Sequence, residues 1–232
     1  MISIIIPALN EEKYLTKLLD CIKKQAYKDY EVIVADADSK DTTKQIAKKY
    51  GCRIVKGGLP GIGRNNGAKA AKGDILFFLD ADVQFDNNFL KNAIEEFEKR
   101  KLDVAGLCIY PQGNNLVDKI FLSVFNLWTF STQLFYPNAS GSGIMCKKWI
   151  FKKVKGFDET IKLSEDMDYV KRCSKHGKFR ILKSAKSYVA MRRFEKEGRL
   201  KVGLKLLLSG LHRLLFGEIR SDVFKYDLRY RK

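Results

Sequence analysis

Hydrophobic and polar positions alternate in a repeating order over the first hundred residues. Ile2 to Pro7 is an apolar run broken only by Ser3, and Glu11 to Gln25 then carries Leu15, Leu18, Leu19 and Ile22 at helical spacing. The pattern predicts a strand followed by an amphipathic helix. It recurs with Glu31 to Ala35 and Thr42 to Tyr50, with Arg53 to Lys56 and Gly63 to Lys72, and with Ile75 to Leu79 and Asn87 to Lys99. Repeated strand–helix units predict an α/β fold with a mainly parallel sheet and helices on both faces. In such sheets ligands bind beyond the carboxyl ends of the strands. The segments expected there are Pro7-Ala8-Leu9-Asn10-Glu11, Asp36-Ala37-Asp38-Ser39, Gly57 to Gly67, and Asp80-Ala81-Asp82.

After a further strand expected over Asp103 to Tyr110, the rhythm fails. Val117 to Tyr136 is rich in aromatic residues, and its charge-free part, Ile120 to Tyr136, falls short of the roughly 18 to 20 apolar residues of a bilayer span. Leu200 to Phe216 is a second amphipathic stretch, with Leu204, Leu207, Leu208, Leu211 and Leu215 on one side and Lys201, Lys205 and Arg213 elsewhere. Two fates are open to these stretches, packing on the sheet or lying in a membrane interface. The organisation expected is one domain of two halves, residues 1–102 for the ligand at the strand ends and residues 103–232, a smaller mixed region, for a second substrate.

Composition sharpens this picture at two points. The 232 residues are 45% hydrophobic and 12% aromatic, enough for a sizeable core and unlike a disordered chain. The net charge of +17 is uneven: residues 1–146 carry 19 Lys and Arg against 17 Asp and Glu, whereas residues 147–232 carry 25 against 10. An excess of that size in one part suggests an anionic partner, such as lipid headgroups, a phosphorylated acceptor or nucleic acid. Nothing resembles a helix-turn-helix or an aromatic RNA-binding motif, so nucleic acid is disfavoured. The scattered cysteines form no C-x-x-C pair, and no basic leader precedes the first strand, so a cytoplasmic chain, at most resting on the inner face of the membrane, is expected.

Several groups could carry chemistry. Asp80 and Asp82 follow a buried strand, and in extended chain they point the same way, where a hard cation such as Mg²⁺ or Mn²⁺ would relieve their repulsion and bridge phosphate oxygens. Gly57 to Gly67 reads as a loop entering a helix whose free N–H groups face an anion, with Arg64 as a charged donor. Its spacing is not the dinucleotide fingerprint. Glu165 and Asp166 open a helix expected to be capped by Ser164, where a carboxylate could act as general base. Arg192 and Arg193 are grouped with Glu165 on the acceptor side, since paired arginines suit an anionic acceptor such as a lipid phosphate.

Taken in order, Ser-Ile-Ile-Ile-Pro-Ala-Leu-Asn-Glu-Glu, Val-Ile-Val-Ala-Asp-Ala-Asp-Ser-Lys-Asp-Thr-Thr, Gly-x-Gly-Arg-Asn-Asn-Gly-Ala, Gly-Asp-Ile-Leu-Phe-Phe-Leu-Asp-Ala-Asp, Gly-Phe-Asp-Glu and Glu-Asp-x-Asp resemble the family 2 glycosyltransferases of the GT-A fold, over about Ile2 to Arg180. The resemblance implies a Rossmann-like fold and inverting transfer of a hexose from a UDP- or GDP-linked sugar. It also implies that Pro7, Ala8, Leu9 and Glu11 border base and ribose, that Asp36 or Asp38 reads the base, and that Arg64 lies near the nucleotide. Asp80, Ala81 and Asp82 would form the DxD motif, with the two acids holding Mg²⁺ or Mn²⁺, and Asp166 would be the base. The chain departs from the family at Asp36-Ala37-Asp38-Ser39, where Asp-Asp-Gly-Ser is usual. The Gln-x-x-Arg-Trp signature of processive members is absent. A nucleic-acid-binding protein and a membrane-surface protein without catalysis are the competing readings.

Overall fold

The computed structural model describes residues 1–221 together with Val223 and Phe224. β1 (Ile2–Ala8), α1 (Glu12–Lys23), β2 (Tyr30–Asp36), α2 (Thr43–Lys49), β3 (Arg53–Lys56), α3 (Pro60–Ala70) and β4 (Ile75–Phe78) follow the alternation in the sequence. Then come β5 (Val83–Gln84), α4 (Phe89–Lys99), β6 (Val104–Pro111), α5 (Leu116–Thr132), β7 (Ile144–Lys147), α6 (Lys148–Lys153), α7 (Glu165–Ser174), β8 (Phe179–Val189), α8 (Arg192–Glu197) and α9 (Arg199–Phe216).

The described strands form one sheet in the order β3-β2-β1-β4-β7-β6-β8-β5. The four strands of the opening repeats are parallel, because each is joined to the next by a crossover helix. β7 enters antiparallel to both β4 and β6, so the sheet is mixed beyond residue 102. β8 runs parallel to β6 and antiparallel to the short β5. Strands from both sides of residue 102 therefore share a single sheet.

β1 is buried at all seven positions, which explains its lack of alternation. Ile4 and Ile6 pack in the cluster that holds Leu15, Leu18, Leu19 and Ile22 of α1 and Phe89 of α4. Ile5 joins the opposite cluster, with Ala68 of α3, Ile150 of α6 and Tyr169 of α7. The sheet is thus covered on both faces, and the two clusters hold its strand ends in a fixed frame.

Helix α3 begins at Pro60, three residues before the start expected from sequence. Gly61, Gly63 and Gly67 consequently lie inside the helix and do not form an anion-holding loop. The reason is packing: a Cβ on Gly67 would collide with Ile5 Cγ2, and one on Gly63 would lie 3.1 Å from Pro7 Cβ. Glycine lets α3 sit directly on β1 and β2.

The two apolar stretches form α5 and α9, but their apolar sides do not pack inward. In α9 Val202, Ser209 and Arg213 are buried, while the leucine side faces out, with Leu200 91% and Leu215 70% exposed. Asp118 and Thr129 are among the buried residues of α5, whereas Leu116 and Leu127 are 69% and 67% exposed.

Paired glycine substitutions test this packing. Gly67→Ala gains helix propensity yet overfills the α3–β1 contact, for a net destabilisation of about 1–2 kcal/mol. Gly210→Ala, where a Cβ meets nothing within 4 Å, should stabilise by about 0.5–1 kcal/mol. Urea unfolding should move the two midpoints in opposite directions, and a higher midpoint for Gly67→Ala would contradict the close approach.

Candidate active site

The loops after β1 and β2 are laced together at the carboxyl end of the sheet. Asn10 N–H donates to Ser39 Oγ (2.9 Å), Lys40 N–H to Asn10 Oδ1 (2.8 Å) and Glu11 N–H to Thr43 Oγ1 (2.8 Å). Asp36, the last residue of β2, is buried; its Oδ1 accepts from Ser39 N–H (3.0 Å) and pairs with Lys44 Nζ (3.3 Å). Its Oδ2 is buried with no hydrogen-bond partner among the described residues. Asp38 is different: its side chain is 79% exposed, and it stands at φ +60°, a conformation that glycine adopts more readily. Pro7 and Ala8 are buried beneath this rim, with Leu9 half-buried.

Arg64 is buried in α3 and joins segments distant in sequence. Its Nη1 donates to Glu165 Oε1 (2.5 Å) and its Nη2 to Asp80 Oδ1 (2.8 Å), and its guanidinium lies 5.4 Å from the Phe157 ring centre. Burial works to lower its pKa, but the charges of Asp80, Glu165 and Asp166 more than offset this and hold it above its usual value. Arg64 Nε is a further buried donor with no hydrogen-bond partner among the described residues.

The two acids of Asp80-Ala81-Asp82 diverge. The chain turns at Ala81 and Asp82 instead of staying extended, and each carboxylate meets a different arginine. Asp80 is held by Arg64, with Ser142 Oγ donating to its Oδ2 at 3.3 Å. Asp82 Oδ2 lies 3.0 Å from Arg192 Nη2. The Arg192 fork also grips buried Glu11, Nη1 donating to Oε2 (2.8 Å) and Nη2 to Oε1 (2.7 Å), and its guanidinium is 4.5 Å from the Tyr14 ring centre. Arg192 therefore sits beside Glu11 and Asp82, on the side opposite to its sequence grouping with Glu165, while Arg193 pairs within α8 with Glu197 (3.0 Å). Asp80 and Asp82 offer the oxygen donors that Mg²⁺ or Mn²⁺ takes. Each is turned to a different arginine, and among the described residues no cluster of three or more His, Cys, Asp or Glu could cage such an ion.

Helix α7 presents Glu165 and Asp166 in its first turn. Ser164 stands at the helix start with φ +64° but makes no side-chain cap. Asp166 is held instead by backbone, its Oδ2 accepting from Gly141 N–H (2.6 Å) and its Oδ1 from Met167 N–H (2.8 Å). Burial raises the pKa of Asp166 and of Glu165, with Arg64 opposing the rise in both.

Sequence reasoning missed the loop that closes this cluster. A Cβ on Gly141 would collide with Arg64 Nη2, so only glycine brings this backbone against Asp166. The alternating Ser140-Gly141-Ser142-Gly143 was the available signal. Asn65 was also missed: it donates to Phe157 O (2.9 Å) and accepts from Phe157 N–H (2.8 Å), tying α3 to the segment before α7. Tyr14 carried no signal beyond its place on an amphipathic helix.

The molecule is thus an α/β fold whose mixed sheet gathers carboxylates and arginines at the ends of its parallel strands. The glycosyl transferase family 2 profile matches residues 3–155, and the chain belongs to that family. It is 35% identical over 123 residues to the poly(ribitol-phosphate) beta-N-acetylglucosaminyltransferase TarS of Staphylococcus aureus, covering 49% of this chain and 21% of TarS. The dolichyl N-acetyl-alpha-D-glucosaminyl phosphate 3-beta-D-2,3-diacetamido-2,3-dideoxy-beta-D-glucuronosyltransferase of Methanococcus voltae is 28% identical over 200 residues, covering 76% of this chain and 62% of that protein. Among solved structures, the mannosyltransferase PcManGT of Pyrobaculum calidifontis, in complex with GDP-Man and Mn²⁺, superposes with a TM-score of 0.73 at 18% identity, covering 90% of this chain and 61% of that one. The fold is therefore GT-A. The chain spans only part of the length of these relatives.

Removing Arg64 should expose the cost of the buried acids. Arg64→Ala takes away the largest of the contributions that hold the Glu165 and Asp166 pKa values down, so both rise further, and a carboxyl with a raised folded-state pKa loses stability as pH climbs through that value. The variant should be about 3–5 kcal/mol less stable at pH 7, with the gap to wild type narrowing at about pH 5 as the acids take up protons. Denaturant unfolding at the two pH values checks this, and a gap independent of pH would contradict it.

Proposed function

We propose that this chain transfers a sugar, with inversion, from a UDP- or GDP-linked donor to an acceptor activated by Asp166. The observation that carries the reading is Asp166 itself, a half-buried carboxyl with raised pKa, oriented by two backbone N–H groups and lying beside Arg64, which bonds Asp80. A base must bind its proton strongly enough to remove one from an attacking hydroxyl, and burial supplies that tendency.

Asp38 and Arg193 apart, the residues singled out from the sequence take these parts. Asp36 reads the base, because its inward oxygen has an open acceptor position whereas Asp38 points to solvent. Pro7, Ala8, Leu9 and Glu11 border the base and ribose from β1. Asp80 and Asp82, on either side of Ala81, would hold Mg²⁺ or Mn²⁺ together with the diphosphate. When bound, that ion neutralises charge on the departing nucleoside diphosphate. Arg64 and Arg192 already set guanidinium groups beside the same two carboxylates and add fixed positive charge there. Glu165 positions Arg64. The names of the relatives, which speak of N-acetylglucosaminyl and glucuronosyl transfer, support the class of reaction.

Nucleotide binding and chemistry can be tested separately. UDP or GDP with Mn²⁺ at about 100 times its Kd should stabilise the protein by about 2.7 kcal/mol, a Tm rise of about 5–11 °C for a chain of this size. Asp82→Asn should weaken that shift. Asp166→Asn should keep the shift and lose about 10²- to 10⁴-fold in turnover. Wild-type turnover should fall on acidification at a pH above the ordinary carboxylate range, since Asp166 acts deprotonated. Full turnover by Asp166→Asn would overturn the assignment.

A further inference from the structure

Amphipathic helices of a folded protein bury their apolar side, yet α5 and α9 bury only a few apolar residues, Leu122 and Val202 among them, and turn most of their leucines outward. Along α9, Leu200, Leu204, Leu207, Leu211, Leu214 and Leu215 all face outward. Its inward side carries Ser209 and Arg213, the latter donating from Nη1 to Met167 Sδ (3.0 Å) and pairing with Glu218 (2.7 Å). On α5 the outward side is Leu116, Val117, Ile120, Val124, Leu127 and Trp128, while Asp118 is turned in and gripped by Arg199 through two bonds (2.8 and 2.9 Å). The helices are neighbours: Phe121 of α5 stacks near Phe194 of α8 (5.1 Å between ring centres), and Gly203 of α9 approaches Phe121. A cavity of about 360 Å³ opens between them, lined chiefly by Val117, Phe121, Phe194, Leu204 and Leu207. Leu134 and Phe135 extend the same exposed apolar character beyond α5.

We propose that α5 and α9 together form a docking face that lies flat in the interface of an anionic lipid bilayer. Charge complementarity selects this occupant. α9 has four basic residues and no acid; Arg199, Lys205 and Arg213 pair with Asp118, Glu197 and Glu218, and exposed Lys201 borders the leucine arc, as Lys119 borders that of α5. The single acid of α5, Asp118, is buried in its ion pair. Residues 147–232, with 25 basic against 10 acidic side chains, bring the surrounding surface to strong positive charge, which attracts anionic headgroups and opposes pairing with a second copy of the same face. Helices of 17 and 18 residues are about 26 and 27 Å long, and no described helix is long and apolar enough to cross a membrane, so they lie along the interface. Trp128 is the kind of amphipathic ring that favours the headgroup level. The face adjoins the site: α8 carries Arg192 against Asp82 at one end and Phe194 in the cavity two residues on, and Arg213 of α9 touches the residue after Asp166. Docking would bring the site to the lipid surface.

Co-sedimentation with vesicles tests this without any sugar donor, so its outcome is independent of the glycosyl-transfer reading. The full chain should pellet with phosphatidylglycerol vesicles, should pellet less with phosphatidylcholine alone, and should be partly released by salt. The double variant Leu207→Glu/Leu211→Glu, altered only at outward positions, should lose about tenfold or more in vesicle partitioning while keeping the wild-type Tm. Wild-type protein left in the supernatant at low salt would overturn the proposal, as would undiminished binding by a folded double variant. A concentration-dependent dimer in light scattering, dissolved by the same substitutions and indifferent to vesicles, would assign the face to a second copy and would also overturn it.

Discussion

The buried guanidinium of Arg64 is the interaction on which the rest of the site depends. It is placed by α3, which reaches β1 only because Gly63 and Gly67 carry no side chain. From there it neutralises Asp80 at the end of β4 and Glu165 at the start of α7, groups 16 and 101 residues away in sequence. The Gly141 loop closes over it and donates to Asp166. Three acids in a desolvated space repel one another strongly, and one cation with two donor edges makes their assembly tolerable. The same arrangement leaves Asp166 with a raised pKa, because desolvation outweighs the pull of Arg64, which bonds Glu165 and Asp80 and only lies near Asp166.

Arg192 repeats the device from the other end of the chain. It joins Glu11, at the beginning of α1, to Asp82, and its flat face lies over Tyr14. The two arginines thus divide the Asp-Ala-Asp turn between them. Positive charge is built into both flanks of the place where a diphosphate would leave, and a fixed dipolar environment of this kind needs no reorganisation when charge develops. The region after residue 147 is therefore part of the site, since it contributes Glu165, Asp166 and Arg192 to strand ends formed by the first 82 residues.

The C-terminal helices show a different economy of burial. The core is completed on both faces of the sheet by α1, α3, α4, α6 and α7, whose apolar sides point inward. α5 and α9 add Leu122, Val202 and the ion pairs Asp118–Arg199 and Arg213–Glu218 to that body, and present most of their leucines outward. Their amphipathicity serves what lies outside the protein.

The sequence by itself determined the first four strand–helix units, the two-sided burial of β1 and the family, because a strand covered on both faces must be apolar throughout and the loops after it must carry the polar chemistry. It did not disclose β8, whose alternation is interrupted by the bulge that shifts pairing from Leu107–Leu182 to Cys108–Lys186, nor the short β7 that reverses the sheet's direction. Residue types at 36, 38, 64, 80, 82 and 166 were legible as candidates. Which acid turns inward at 36 and 38, which arginine meets which carboxylate, and which side of α9 faces the protein were decided only by the tertiary structure. The physical reason is common to all three: periodicity reports that a face is apolar or a group charged, whereas the partner that neutralises or covers it comes from segments far away in sequence.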